Sequence, residues 1–122
     1  MDNGIGIEIH ASGIVSGEEI IEAHKEIYSE ENVTKQKYQI IDRSDCEEYR
    51  VSPEEVKKIA ELDNAASKSN PHIIIAIIAS SDLQFGMSRM WQAYIEESNF
   101  VTKLFHDRKS ADEWIKIQLS KA

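Results

Sequence analysis

The sequence predicts an α/β fold: a four-stranded, mostly parallel sheet with four helices. Three observations predict it. Segments with strand periodicity alternate with segments of helical periodicity in the order β-α-β-α-β-α-β-α, and that alternation implies right-handed crossovers and parallel strands. The run Ile73–Ala79 is apolar at every position, as a strand covered on both faces must be. Helix starts are spelled out by capping residues, most clearly Ser52-Pro53-Glu54-Glu55. A chain of 122 residues with no internal repeat and no Pro/Gly-rich linker fits one domain spanning 1–122.

In order along the chain, Ile5, Ile7 and Ile9 alternate with Gly6, Glu8 and His10, which gives a strand from about Ile5 to Ser12 that Gly13 ends. Ser16 and Glu19 form a capping box, so a helix starts near Gly17 and turns Ile20, His24, Ile27 and Tyr28 inward. Tyr38–Ile41 is a short β-prone run, and 42–50 is a polar connection. Ser52 caps the second helix, Pro53 takes the position that needs no N–H, and Val56, Ile59, Leu62 and Ala66 form its inner face until Asn70-Pro71 breaks it. After the apolar strand, Ser80, Ser81 or Asp82 caps a third helix with Leu83, Met87, Met90, Trp91 and Tyr94 on a broad apolar face. Phe100–Phe105 is the last strand. Asp107 or Ser110 caps a final helix carrying Ala111, Trp114, Ile115 and Leu119. One detail resists a fully sandwiched sheet: Glu8 and His10 make the first strand polar on one face, which is then thinly covered or meets a partner. A homodimer is compatible with that face.

Charge narrows the partners. The net charge is −8, but residues 1–65 hold 16 acids and 7 bases whereas 66–122 hold 6 acids and 7 bases. An acidic half argues against nucleic acid and anionic lipid and for a basic protein partner. The longest apolar run is too short to cross a bilayer as a helix. The opening residues Met1–Gly6 carry no basic signal-peptide segment, and the lone thiol, Cys46, fits a reducing compartment. The cytoplasm is the expected location.

The chain resembles the SpoIIAA-like, or STAS-like, single-domain bacterial proteins. The matching pieces are the strand ending in Gly13-Ile14-Val15-Ser16 before an acidic helix, the apolar strand Ile73–Ala79 followed by Phe85-Gly86-Met87-Ser88-Arg89-Met90, and Phe105-His106-Asp107 through Ala111 to Trp114-Ile115. The resemblance implies a sheet ordered 2-1-3-4 and a non-catalytic regulatory or protein-interaction role. The extra antiparallel strand usual in front of STAS domains is not expected in full here. The serine that a kinase phosphorylates in STAS regulators falls roughly on Ser52, but the family's Asp-Ser-Ser-Gly pattern is missing, and a plain N-cap is the competing role. The fold also resembles the smaller core of the CRAL-TRIO lipid-transfer fold, which implies an apolar small-molecule pocket; Phe85, Met87, Met90, Trp91 and Tyr94 are the residues that would line it, unless they are ordinary core. In a 2-1-3-4 sheet the order reverses between the first and third strands, and a ligand crevice is expected there. It would be built from Gly13–Ser16 and Ser80–Gly86, with the helix start after Ser81 facing it and Arg89 reaching toward it.

The residues themselves offer little catalysis. The acidic neighbours of Cys46 raise its pKa. Asp42, Asp45, Glu47 and Glu48 lack the glycine and spacing of a calcium loop. His10, His24, His72 and His106 form no metal-binding motif, and His24 is expected as a hydrogen-bonded core histidine. There is no nucleophile elbow, phosphate loop or dinucleotide fingerprint. Ser16, Ser80 and Arg89 are the weak polar candidates for an enzyme. The expected function is therefore an interaction module working through the acidic first helix and the Ser52 helix end, with a carrier or sensor of apolar ligands as the alternative. No cofactor and no metal are expected.

Overall fold

Four β-strands and four α-helices alternate along the chain in the computed structural model, which describes residues 6–96 and 98–121. The strands are β1 (Gly6–Ser16), β2 (Tyr38–Arg50), β3 (Ile74–Ile78) and β4 (Val101–Phe105). The helices are α1 (Gly17–Ile27), α2 (Pro53–Ser69), α3 (Asp82–Tyr94) and α4 (Arg108–Ser120). Ile5, the expected first residue of the first strand, lies outside the described residues.

All strand pairs are parallel, and the sheet order is β1-β2-β3-β4. The expected order 2-1-3-4 is corrected. Covering decides it: an interior strand must be apolar or hydrogen-bonded on both faces, and β2 is buried from Gln39 through Arg43. With Glu8 and His10 on one face, β1 suits an edge, where that face stays open. Each strand is added on the same side of the one before, so right-handed crossovers bring α1, α2 and α3 to one face of the sheet. That face holds the larger core, with Ile20, Ile41, Val56, Ile59, Ile75, Ile77 and Trp91. α4 alone covers the other face, over β2, β3 and β4, where Ala111 and Ile115 meet Ile40, Ala76, Ile78 and Phe105.

Beside α4 the open face of β1 is held by ions. Arg108, the first residue of α4, donates to both carboxylate oxygens of Glu8 at 2.7 and 3.0 Å and to Asp112 at 2.8 Å. His10 meets Asp45 at 2.9 Å. The polar face of β1 is thus the thinly covered one.

β1 and β2 run further than expected. Gly13 does not end the first strand but lies inside it at φ +68°, and the stretch 42–50 is strand rather than connection. β2 pairs with β3 only as far as Asp42↔Ile78 but with β1 as far as Arg50↔Ser16. The two strands therefore project past the rest of the sheet as a parallel ribbon. Register shifts at His10/Ser12 and Gly13/Ile14 give β2 an extra residue each time and bend the ribbon. Water reaches both of its faces over much of this length, which is why its sequence is polar.

Helix ends follow the expectation closely. Ser16 and Ser52 each accept a hydrogen bond from the backbone of Glu19 and Glu55, whose side chains take the caps' own N–H groups. Ser81 caps α3 and Asp107 caps α4. Two helical faces differ. In α2, Asp63 is fully buried while Leu62 is half-buried. In α3, Gln84, Ser88 and Trp91 face the core, whereas Leu83 and Tyr94 are exposed.

Candidate functional site

The candidate site is a cavity of about 310 Å³ between β1, β2 and α1. Strand periodicity sends Ile9 and Ala11 of β1 and Ile41 and Arg43 of β2 to the same face. Helical spacing turns Ile20, Ala23 and His24 of α1 down onto them. The walls are mostly apolar, with a few polar groups converging, as is typical of small-molecule sites of this size. Glu19 stands exposed at the rim, its carboxylate held by the N–H and hydroxyl of Ser16 at 3.3 and 3.1 Å.

The polar floor consists of His24 and Arg43, 3% and 7% exposed. His24 Nδ1–H donates to the Ile20 carbonyl at 2.9 Å, and its Nε2 lies 3.5 Å from Asp63 Oδ1. Asp63 is wholly enclosed and also accepts from Tyr28 Oη at 2.6 Å and from Trp91 Nε1 at 2.6 Å. Gln39 donates to Tyr28 Oη at 3.0 Å and to Gln36 Oε1 at 2.9 Å, extending the network under the sheet. Burial pushes the His24 pKa down, but the charge and hydrogen bond of Asp63 outweigh it, so the imidazole stands above its ordinary range. Burial and the Asp63 charge push the Tyr28 hydroxyl far up. Both ring nitrogens of His24 are thereby committed within the protein.

Arg43 differs from its neighbours. Its guanidinium lies over the Tyr49 ring, 5.2 Å from the centroid. Among the described residues no carboxylate lies within ion-pair distance of it and no group accepts a hydrogen bond from it. Its nitrogens are not among the enclosed polar atoms without a partner, and Arg43 lines both the α1 cavity and, with Tyr49, a second cavity of about 20 Å³ beside α3.

The expected ligand residues are not gathered in one place. Ser80 Oγ donates to the Arg43 carbonyl at 3.2 Å, whereas Ser16 pairs in register with Arg50. Those points are seven steps apart along β2, roughly 20 Å. The crevice expected between the first and third strands is filled by β2, so the sheet has no reversal there. Ser81 is occupied as the α3 cap, and Arg89 is exposed on the outer side of α3. Phe85 stacks on His106 with ring centroids 4.2 Å apart. Met90 packs against the main core, and Met87 and Trp91 line a cavity of only about 20 Å³, the space of about one water. Ser52 is the N-cap of α2. The half-buried Cys46 has its thiol pushed up chiefly by burial.

Arg43 and Asp63 went unread in the sequence, although signals for both exist. Continuing the alternation Gln39, Ile41 one step puts Arg43 on the inner face. Spacing from Ile59 and Ala60 puts Asp63 on the inner stripe of α2.

No group of three or more His, Cys, Asp or Glu among the described residues could hold a metal ion. No described helix is long and apolar enough to cross a membrane. No family model, curated protein or solved structure matches the chain.

Proposed function

We propose that the chain is a non-catalytic regulatory module, which binds a small molecule under α1 and meets a basic protein partner over α1. One observation carries the reading: α1 is at once the wall of the cavity and the bearer of the acidic surface. Ile20, Ala23 and His24 turn inward, while Glu18, Glu22 and Glu26 line the outer side of the same three turns. An occupant of the cavity bears directly on the helix that a partner would touch, which is the physical requirement for coupling two binding events. A binding role also suits His24, whose ring nitrogens already serve Ile20 and Asp63 and so are not offered to a substrate proton. The carrier reading is kept in this form, with its ligand moved from the α3 residues to the α1 cavity.

The test is affinity capture with the wild-type chain and with a Glu18→Lys/Glu22→Lys/Glu26→Lys variant, at low and high salt. A basic partner held by the wild type, released by salt and absent from the variant is the expected outcome. Identical captures by both chains would overturn the protein-binding half of the proposal.

A further inference from the structure

We infer that the α1 cavity takes a small monocarboxylic acid, its carboxylate held by Arg43 and its apolar body lying among Ile9, Val15, Ile20 and Ile41. The inference rests on the functional reading above and gives its ligand a chemical class. It starts from Arg43. A buried cation without a counter-charge is costly, and proteins normally supply a carboxylate or several acceptors beside it. This chain carries 22 acids, yet among the described residues none pairs with Arg43, which is 7% exposed. Asp63, the enclosed acid nearby, is taken by Tyr28, Trp91 and His24. The guanidinium lies over the Tyr49 ring, its fork of donors has no protein acceptor among the described residues, and Arg43 lines the α1 cavity. That fork matches the two oxygens of a carboxylate.

The rest of the cavity limits the ligand further. Its apolar walls suit a hydrocarbon body rather than a bare inorganic anion. At about 30 Å³ for each water-sized group, its volume admits about ten heavy atoms. Glu19 at the rim opposes a second negative charge, which disfavours dicarboxylates and doubly ionised phosphate.

Octanoate, neutral octanol and inorganic phosphate are the probes, titrated at millimolar concentration into the full chain while amide NMR shifts of α1 and β2 are followed. Octanoate is expected to shift Ala23, His24 and Arg43 and to bind at least about tenfold more tightly than octanol, with phosphate inert. Arg43→Met, which removes the charge at similar length, is expected to abolish that preference while still binding octanol. The octanoate-to-octanol ratio in the unaltered protein decides the matter even where the variant does not fold. Octanol binding as well as octanoate, phosphate binding in its place, or unchanged octanoate binding by a folded Arg43→Met would overturn the carboxylate. Octanol shifts on α1 without an octanoate preference would leave the ligand-binding cavity standing. No shift with any probe would overturn the cavity's role as well.

Discussion

Asp63, enclosed behind the cavity floor, concentrates more of the structure in one side chain than either residue of that floor. It holds Tyr28, the C-cap of α1, Trp91 of α3 and, at longer range, His24 of α1, while being itself on α2. Three helices therefore share one carboxylate. Asp63→Asn keeps the volume but replaces an acceptor by an NH2 group, which must face one of two donors. Loss of about 3 kcal/mol of unfolding free energy is expected in urea titrations; a loss below about 0.5 kcal/mol would show that the network contributes little. His24 adds a pH dependence of definite sign. Its pKa in the folded chain lies above the ordinary value, so its pairing with Asp63 stabilises fully below about pH 6.5 and is withdrawn as pH rises through the higher folded value. Subtracting the stability curve of His24→Gln from that of the wild type should expose this decline as pH rises above about 6.5; a difference that grows with pH would reverse the assignment.

At the scale of elements, what was legible in the sequence was local. Both capping boxes, the Asn70-Pro71 break and the apolar β3 depend on residues within a turn of one another, and the structure places them as the sequence implies. Strand order depends on which faces end up covered, and that is settled between elements. The polar end of β2 resembled a loop because a ribbon wet on both faces has no apolar alternation to display. Gly13 resembled a strand end for a related reason, since glycine marks both turns and the positive φ of a bent strand. The cavity was hidden because its floor comes from residues distant in sequence, His24 and Arg43, and the acid that holds His24, Asp63, lies on a third element, each looking ordinary alone. Gly13 provides the test of the ribbon. An added methyl would meet nothing within 4 Å, so Gly13→Ala carries only the cost of an L-residue at φ +68°, about 1–2 kcal/mol. Gly13→Asn should lose less, because asparagine tolerates this region. Equal losses for the two would place the cause in packing rather than in backbone.

The whole molecule is organised by an imbalance across its sheet. Three helices cover one face and α4 the other, so the edge strand β1 is left with an ionic border in place of a core. The acids follow the same asymmetry: residues 1–65, which build β1, α1, β2 and the start of α2, carry a net −9. Six glutamates lie between positions 18 and 31 alone, and only Lys25, bonded to Glu22 at 3.3 Å, answers them within α1. Such crowding of like charge repels itself, and salt screens exposed charges over about 8–10 Å at physiological strength. The surface ion pairs that salt would weaken in return, such as Arg108–Glu8 and Arg50–Glu48, are exposed or half-exposed and contribute about 0–1 kcal/mol each. The buried His24–Asp63 contact is shielded from the electrolyte. Repulsion relieved therefore exceeds attraction lost, and the melting temperature should rise when sodium chloride goes from low millimolar to physiological concentration. Glu22→Lys/Glu26→Lys should raise it at low salt and flatten the dependence. A melting temperature that falls with salt in the wild type would mean that the ionic border of β1 and α4, rather than the acidic face of α1, dominates the electrostatics of folding.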